Sequence, residues 1–121
     1  MLNADMNPAT LDDLVPARSA ARLRAFQRDV DRALPGMVDR MLLFGSRARG
    51  EATRDSDYDV AVLLKGTSRP PHVRALVSDT AYRHVLAGVA IRPLVVLAAH
   101  VSSGGPYPVT RNIARDGIAI R

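Results

Sequence analysis

Cysteine is absent from the 121-residue chain, which excludes a disulfide framework and any thiolate metal site. Lysine is nearly absent as well: Lys65 is the only one, so the positive charge is carried by arginine. Aromatic residues make up only 4%, and the core must therefore be aliphatic. No apolar run approaches the ~18 residues that would suggest a membrane-spanning helix. The first residues, Met1 to Asn7, carry acid and amide side chains rather than a basic region followed by an apolar stretch. They do not read as a secretion signal, and an intracellular, cytoplasmic chain is expected.

What is present suits one small folded unit. Hydrophobic residues reach 47%, and the length accommodates a single modest core but not two. The net charge of +5 and the isoelectric point of about 10.7 raise nucleic acid as a partner. The arginines, however, are scattered among acids, without a block of five or six basic residues. A solvated face with anion binding at one site, or a surface for an acidic partner, is favoured over a nucleic-acid surface.

Residues 1–18 form a polar, mixed N-terminal segment, expected to be loosely ordered, with Thr10-Leu-Asp-Asp able to cap a short turn. Residues 19–121 form the domain. From Ser19 to Leu34, Leu23, Phe26, Val30 and Ala33 recur at helical spacing, and Pro35-Gly36 stops the helix. This stripe is assigned to the core or to a dimer contact. Val38 to Phe44 reads as a strand running into Gly45-Ser46, followed by a helical turn over Arg47–Gly50 and a polar loop. A second strand spans Asp57 to Leu64. Pro70-Pro71 opens a second helix with Val73, Leu76, Val77, Ala81 and Val85 on one stripe, closed near Gly88. Ile91 to Leu97, rich in β-branched residues, is a third strand. A loop over Ser102–Pro108, a helical turn over Val109–Arg115 and a short extended tail complete the chain. This order gives an α/β fold: one small domain with a short mixed sheet flanked by helices.

The chemistry is concentrated between Gly45 and Asp59. A strand that ends in Gly-Ser and turns into a helix leaves backbone N–H groups pointing outward, where they can bind phosphate oxygens. Ser46 adds a hydroxyl, and glycine at position 45 lets a phosphate approach the backbone closely. Arg47 and Arg49 can neutralise phosphate charge. Asp57 and Asp59, two residues apart at a strand start, direct both carboxylates from one face, roughly 7 Å apart between Cα atoms. Hard oxygen ligands so arranged suit Mg²⁺, which accepts a few carboxylates together with water and substrate phosphates. The ordered combination of buried strand, Gly-Ser, basic turn and Asp-x-Asp opening a second buried strand points to a nucleotide and metal site.

The stretch Gly45-Ser46-Arg47-Ala48-Arg49-Gly50-Glu51, with Ser56-Asp57-Tyr58-Asp59 after it, resembles the signature of the minimal nucleotidyltransferases of the DNA polymerase beta-like superfamily. The resemblance implies a nucleotidyltransferase fold and transfer of a nucleoside monophosphate from ATP or another triphosphate to a hydroxyl, with Mg²⁺. It implies nucleotide binding by Gly45, Ser46 and Arg49, and both metal binding and catalysis by Asp57 and Asp59. Many similar proteins are antitoxins to a HEPN-type ribonuclease toxin, which is the protein partner implied here. Similar active proteins usually carry a third carboxylate on the next core strand. This strand, Ile91–Leu97, has no acid, and Arg92 stands at the expected position. A guanidinium neither binds a cation nor accepts a proton. The alternative is therefore a catalytically inactive module that binds nucleotide or a partner. Pro93 suggests an edge strand. His72, His84 and His100 lack a zinc-ligand spacing, with His84 expected on a helix flank, and Tyr107 reads as a packed loop residue.

Overall fold

The computed structural model describes residues 9–103, 105 and 107–121. The expected loose order of the N-terminal segment falls partly on residues 1–8, and the expected loop over Ser102–Pro108 partly on residues 104 and 106. Those residues lie outside the described ones; the rest of the N-terminal segment, residues 9–18, is ordered instead, with Leu11 and Val15 buried in the larger apolar cluster. At Thr10 the anticipated capping box is present: the Asp13 carboxylate accepts a hydrogen bond from the Thr10 backbone N–H at 2.9 Å. It opens α1 (Leu11–Leu14), which buries Leu11. Next comes α2 (Ala17–Ala33), whose Ala20, Leu23, Phe26 and Val30 form a fully buried stripe. Ala33, expected on that stripe, is exposed; Leu34 turns inward instead, at the cap where the helical spacing ends.

The strands are β1 (Val38–Phe44), β2 (Tyr58–Leu64), β3 (Ile91–Leu97) and the two-residue β4 (Ile118–Ala119). They form one mixed sheet in the order β3-β2-β1-β4. β1 runs antiparallel to both β2 and β4, while β2 and β3 are parallel and joined through α4 (Pro71–Leu86). The extended tail is thus a strand: Leu42 pairs with Ala119 and Leu43 with Ile118. β3 lies at an edge, where a proline costs the ladder least.

Two short helices complete the other face. α5 (Ala98–Ser102) follows β3 directly and had no signal strong enough to separate it from a loop. α6 (Pro108–Asp116) starts at a proline, which suits a first helical position because its missing N–H needs no partner there. Tyr107 caps this helix and is exposed rather than packed, because the body of α6 turns Thr110 and Ile113 inward in its place.

One face of the sheet, with Met41, Leu43, Val60, Val62, Val95 and Leu97, packs against α2 and α4 in the larger apolar cluster. The opposite face, with Leu42, Ala61, Leu63 and Val96, meets Val101 of α5 and Ile113 of α6 in a smaller one. On α4 the buried row is Val73, Val77, Thr80, Ala81 and His84, while Val85 is exposed. His84 therefore belongs to the core and not to a flank. It can be buried because its Nε2 lies 2.9 Å from the Asp29 carboxylate on α2 and its ring meets Phe26 edge-on.

Candidate active site

Strand register assembles one end of the sheet. Antiparallel pairing sets Phe44, at the end of β1, opposite Asp59 near the start of β2. Parallel pairing then sets Arg92, near the start of β3, opposite that same Asp59. Side-chain alternation puts Asp59 and Arg92 on the face that carries the smaller cluster, at the end where Phe44 packs against it.

Gly45 leaves β1 with φ 75° and ψ −157°, a backbone conformation restricted in practice to glycine. A Cβ there would stand 2.5 Å from Asp59 Oδ2, so two separate constraints demand the missing side chain. The chain then winds into α3 (Ser46–Arg49), where the Gly45 carbonyl accepts from the N–H groups of Ala48 and Arg49. Ser46 sits on the first residue of this turn. Gly50 closes it in the left-handed conformation.

Asp59 is largely covered, with its side chain 15% exposed, while that of Asp57 is 43% exposed. Both turn toward one cation. Arg92 Nε donates to Asp59 Oδ1 at 2.7 Å, and its Nη1 lies 3.6 Å from Asp57 Oδ2. The Asp59 hydrogen bond is the main reason the Arg92 guanidinium is held above its ordinary pKa. Gly45, Asp57 and Asp59 are thus brought together, and Arg92 joins them at the position expected for a third acid. No group of three or more histidine and acidic side chains converges among the described residues.

A nucleotidyltransferase-domain family profile matches residues 23–114, most of the chain. The chain belongs to this family. A crystal structure described as a "putative nucleotidyltransferase" from Sulfolobus solfataricus superposes with a TM-score of 0.61. That match covers 84% of this chain and 78% of that one at 19% identity, a likeness of fold. A Methanocaldococcus jannaschii protein named "Putative protein adenylyltransferase" is 42% identical over 43 residues, 36% of this chain. The chain spans 43% of that curated relative's length.

Within this nucleotidyltransferase domain the two arginines of α3 stabilise the loop. Arg47 donates to the Ser56 carbonyl at 2.8 and 3.2 Å and lies 4.2 Å over the Tyr58 ring, which fixes the loop that delivers Asp57. Arg49 pairs with Glu51 at 2.8 Å and with buried Asp116 of α6 at 2.9 Å, so its charge is directed to these acids. Asp116 also accepts from Arg115 at 2.9 Å. The Arg115 hydrogen bond, and more weakly that of Arg49, outweigh burial and hold the Asp116 carboxyl below the usual carboxylate range. Sequence spacing gave no means of pairing residues 49 and 116, because only the fold of α6 across the sheet joins them. Among the described residues, no helix is long and apolar enough to cross a membrane.

Proposed function

We propose that this nucleotidyltransferase domain binds a magnesium nucleoside triphosphate across Gly45–Asp59 and transfers its nucleoside monophosphate to a hydroxyl acceptor. The observation that carries this reading is the meeting of the Gly45 turn with the Asp57 and Asp59 carboxylates at one open sheet end. The carboxylate pair fits a cation, since both oxygen donors already face the single positive group of Arg92. Asp57 and Asp59 would hold Mg²⁺, which supplies charge neutralisation on the triphosphate and the departing pyrophosphate.

In this reading Gly45 lets the phosphates lie against bare backbone, and Ser46 donates its hydroxyl to a phosphate oxygen. Arg49 contributes through its ties to Glu51 and Asp116, which hold α3 in place. The acceptor oxygen bonds to the α-phosphorus as the bond to the bridging oxygen breaks and pyrophosphate leaves. The hydroxyl proton passes to water at the exposed Asp57 side. ATP is the triphosphate of choice because the relative from M. jannaschii is named as an adenylyltransferase, and the same name favours a protein acceptor. The family resemblance supplies the finer candidate for that acceptor: a HEPN-type ribonuclease toxin, with this chain as its antitoxin.

One observation favours a second reading. Arg92, in place of a third acid, removes the group that would accept the acceptor's proton, which suits a module that binds nucleotide or a partner without chemistry. The test is transfer from α-labelled ATP to a co-expressed helical partner, by the parent and by the Asp57→Asn/Asp59→Asn variant. Label on the partner that vanishes in the variant is expected. Triphosphate binding that requires both aspartates, without transfer, would leave the binding-module reading. Magnesium-dependent binding unchanged in the double variant would remove the site itself.

A further inference from the structure

Arg92 and the two aspartates form an arrangement with a consequence of its own. The guanidinium spans both carboxylates, 2.7 Å from Asp59 and 3.6 Å from Asp57, and so fills the position between them that a bound cation would share. Its own side chain is 68% exposed, on an edge strand, whereas Asp59 is mostly covered. The fixed partner is therefore the acid, and the movable partner is the arginine. On the arginine's side the pair is open to solvent, where water and side-chain entropy favour release of the guanidinium.

The two ligands that could displace Arg92 present it with different alternatives. A bare divalent cation must either expel the guanidinium into water or tolerate a like charge a few ångströms away. A magnesium triphosphate remains anionic overall and brings phosphate oxygens, which a planar guanidinium can grip through two parallel hydrogen bonds. Displacement by that complex exchanges one anionic partner for another.

We infer that Arg92 is an internal counter-ion that occupies the Asp57/Asp59 pair against free divalent cations and passes to the phosphates when a cation arrives with a triphosphate. This role rests on the site proposed above, and it makes Arg92 a specificity residue for the order in which ligands enter. It also gives a reason for arginine, rather than any small neutral residue, where a third acid is missing.

The experiment measures two affinities on the full chain: Mn²⁺ alone, from the free-Mn²⁺ electron paramagnetic resonance signal, and magnesium α,β-methylene-ATP by calorimetry. The parent is compared with Arg92→Met, Arg92→Lys and Arg92→Met combined with Asp57→Asn/Asp59→Asn. Arg92→Met should bind Mn²⁺ about tenfold more tightly and the magnesium analogue about tenfold more weakly, with Arg92→Lys between it and the parent. Should Arg92→Met fail to fold by circular dichroism, Arg92→Gln provides the same two readings. Mn²⁺ affinity unchanged by the substitution, or both affinities moving in one direction, overturns the role of Arg92 and leaves the site intact. Tight Mn²⁺ binding that survives loss of both aspartates overturns the site, and the inference with it.

Discussion

The two faces of the sheet differ most at the end where the strands meet Gly45. On the face covered by α2 and α4, the strand starts carry Tyr58 and Ile91, both buried and continuous with the larger core. One residue further along each strand, on the face covered by α5 and α6, stand Asp59 and Arg92. The same backbone thus presents apolar packing to one side and charge to the other. Charged side chains are tolerated where the apolar cover of the sheet is thinner. The long helices cover the strand starts with apolar packing and admit charge only as the His84–Asp29 pair, whereas the other face leaves Asp57 partly and Arg92 largely exposed at the strand ends.

This contrast can be broken by substitutions on either side. The largest effect should come from the thickly covered face. Phe26→Ala removes the largest fully buried side chain and its edge contact with His84, and should cost about 3–5 kcal/mol in urea unfolding. Magnesium-ATP affinity of the remaining folded protein should not change. An affinity that falls with the stability would show that the two faces are not separable.

Gly45→Val should cost about 1–3 kcal/mol of stability through backbone strain and also abolish triphosphate binding, since the new side chain drives into Asp59. Gly36 makes a fair control: its φ is also 75°, yet a Cβ there meets nothing within 4 Å. Gly36→Ala should therefore show strain alone, with binding retained. Equal binding by both variants would detach the phosphate site from the β1 turn.

The smallest effect concerns the acid limb of stability. Asp116 has its carboxyl held below the ordinary range by Arg115 and then Arg49. A depressed pKa in the folded state gives stability that is complete above the unfolded-state value and lost as pH falls through the folded one. Unfolding midpoints should thus decline below about pH 4. Asp116→Asn should lower stability at neutral pH and flatten that decline. An acid limb of the same slope in both proteins would assign it to other carboxylates.

Much of this was legible in the residues, and for physical reasons. The first two strands ran into Gly45 and Lys65-Gly66, the third stood out by its β-branched residues, and the α2 stripe of Leu23, Phe26 and Val30 recurred at helical spacing; only the start of the second strand moved, from Asp57 to Tyr58. The convergence of Gly45, Asp57 and Asp59 followed from a short connection between paired strands, and Arg92 was expected at that end. His84 misled because an ionisable residue is expected outside unless a partner is known, and Asp29 lies 55 positions away. α5 and the pairing of β4 were hidden for a related cause. Five residues and two residues carry too little periodicity, and tertiary contact alone decides their form.

The path by which the sheet closes has a consequence for the newly made chain. Gly45 and Asp59 are separated by a short connection, whereas Arg92 must be delivered through the whole of α4. Closing a longer loop costs more entropy, so β1 and β2 should pair before β3 docks. For that interval the carboxylates stand together without their arginine. Pulse-labelled amide exchange that protects β1 and β2 ahead of β3 would record it. On the proposed role of Arg92, a chain emerging into a solution of divalent ions would thus pass through a stage in which its acids are least selective, and acquire its discrimination only when the edge strand β3 docks.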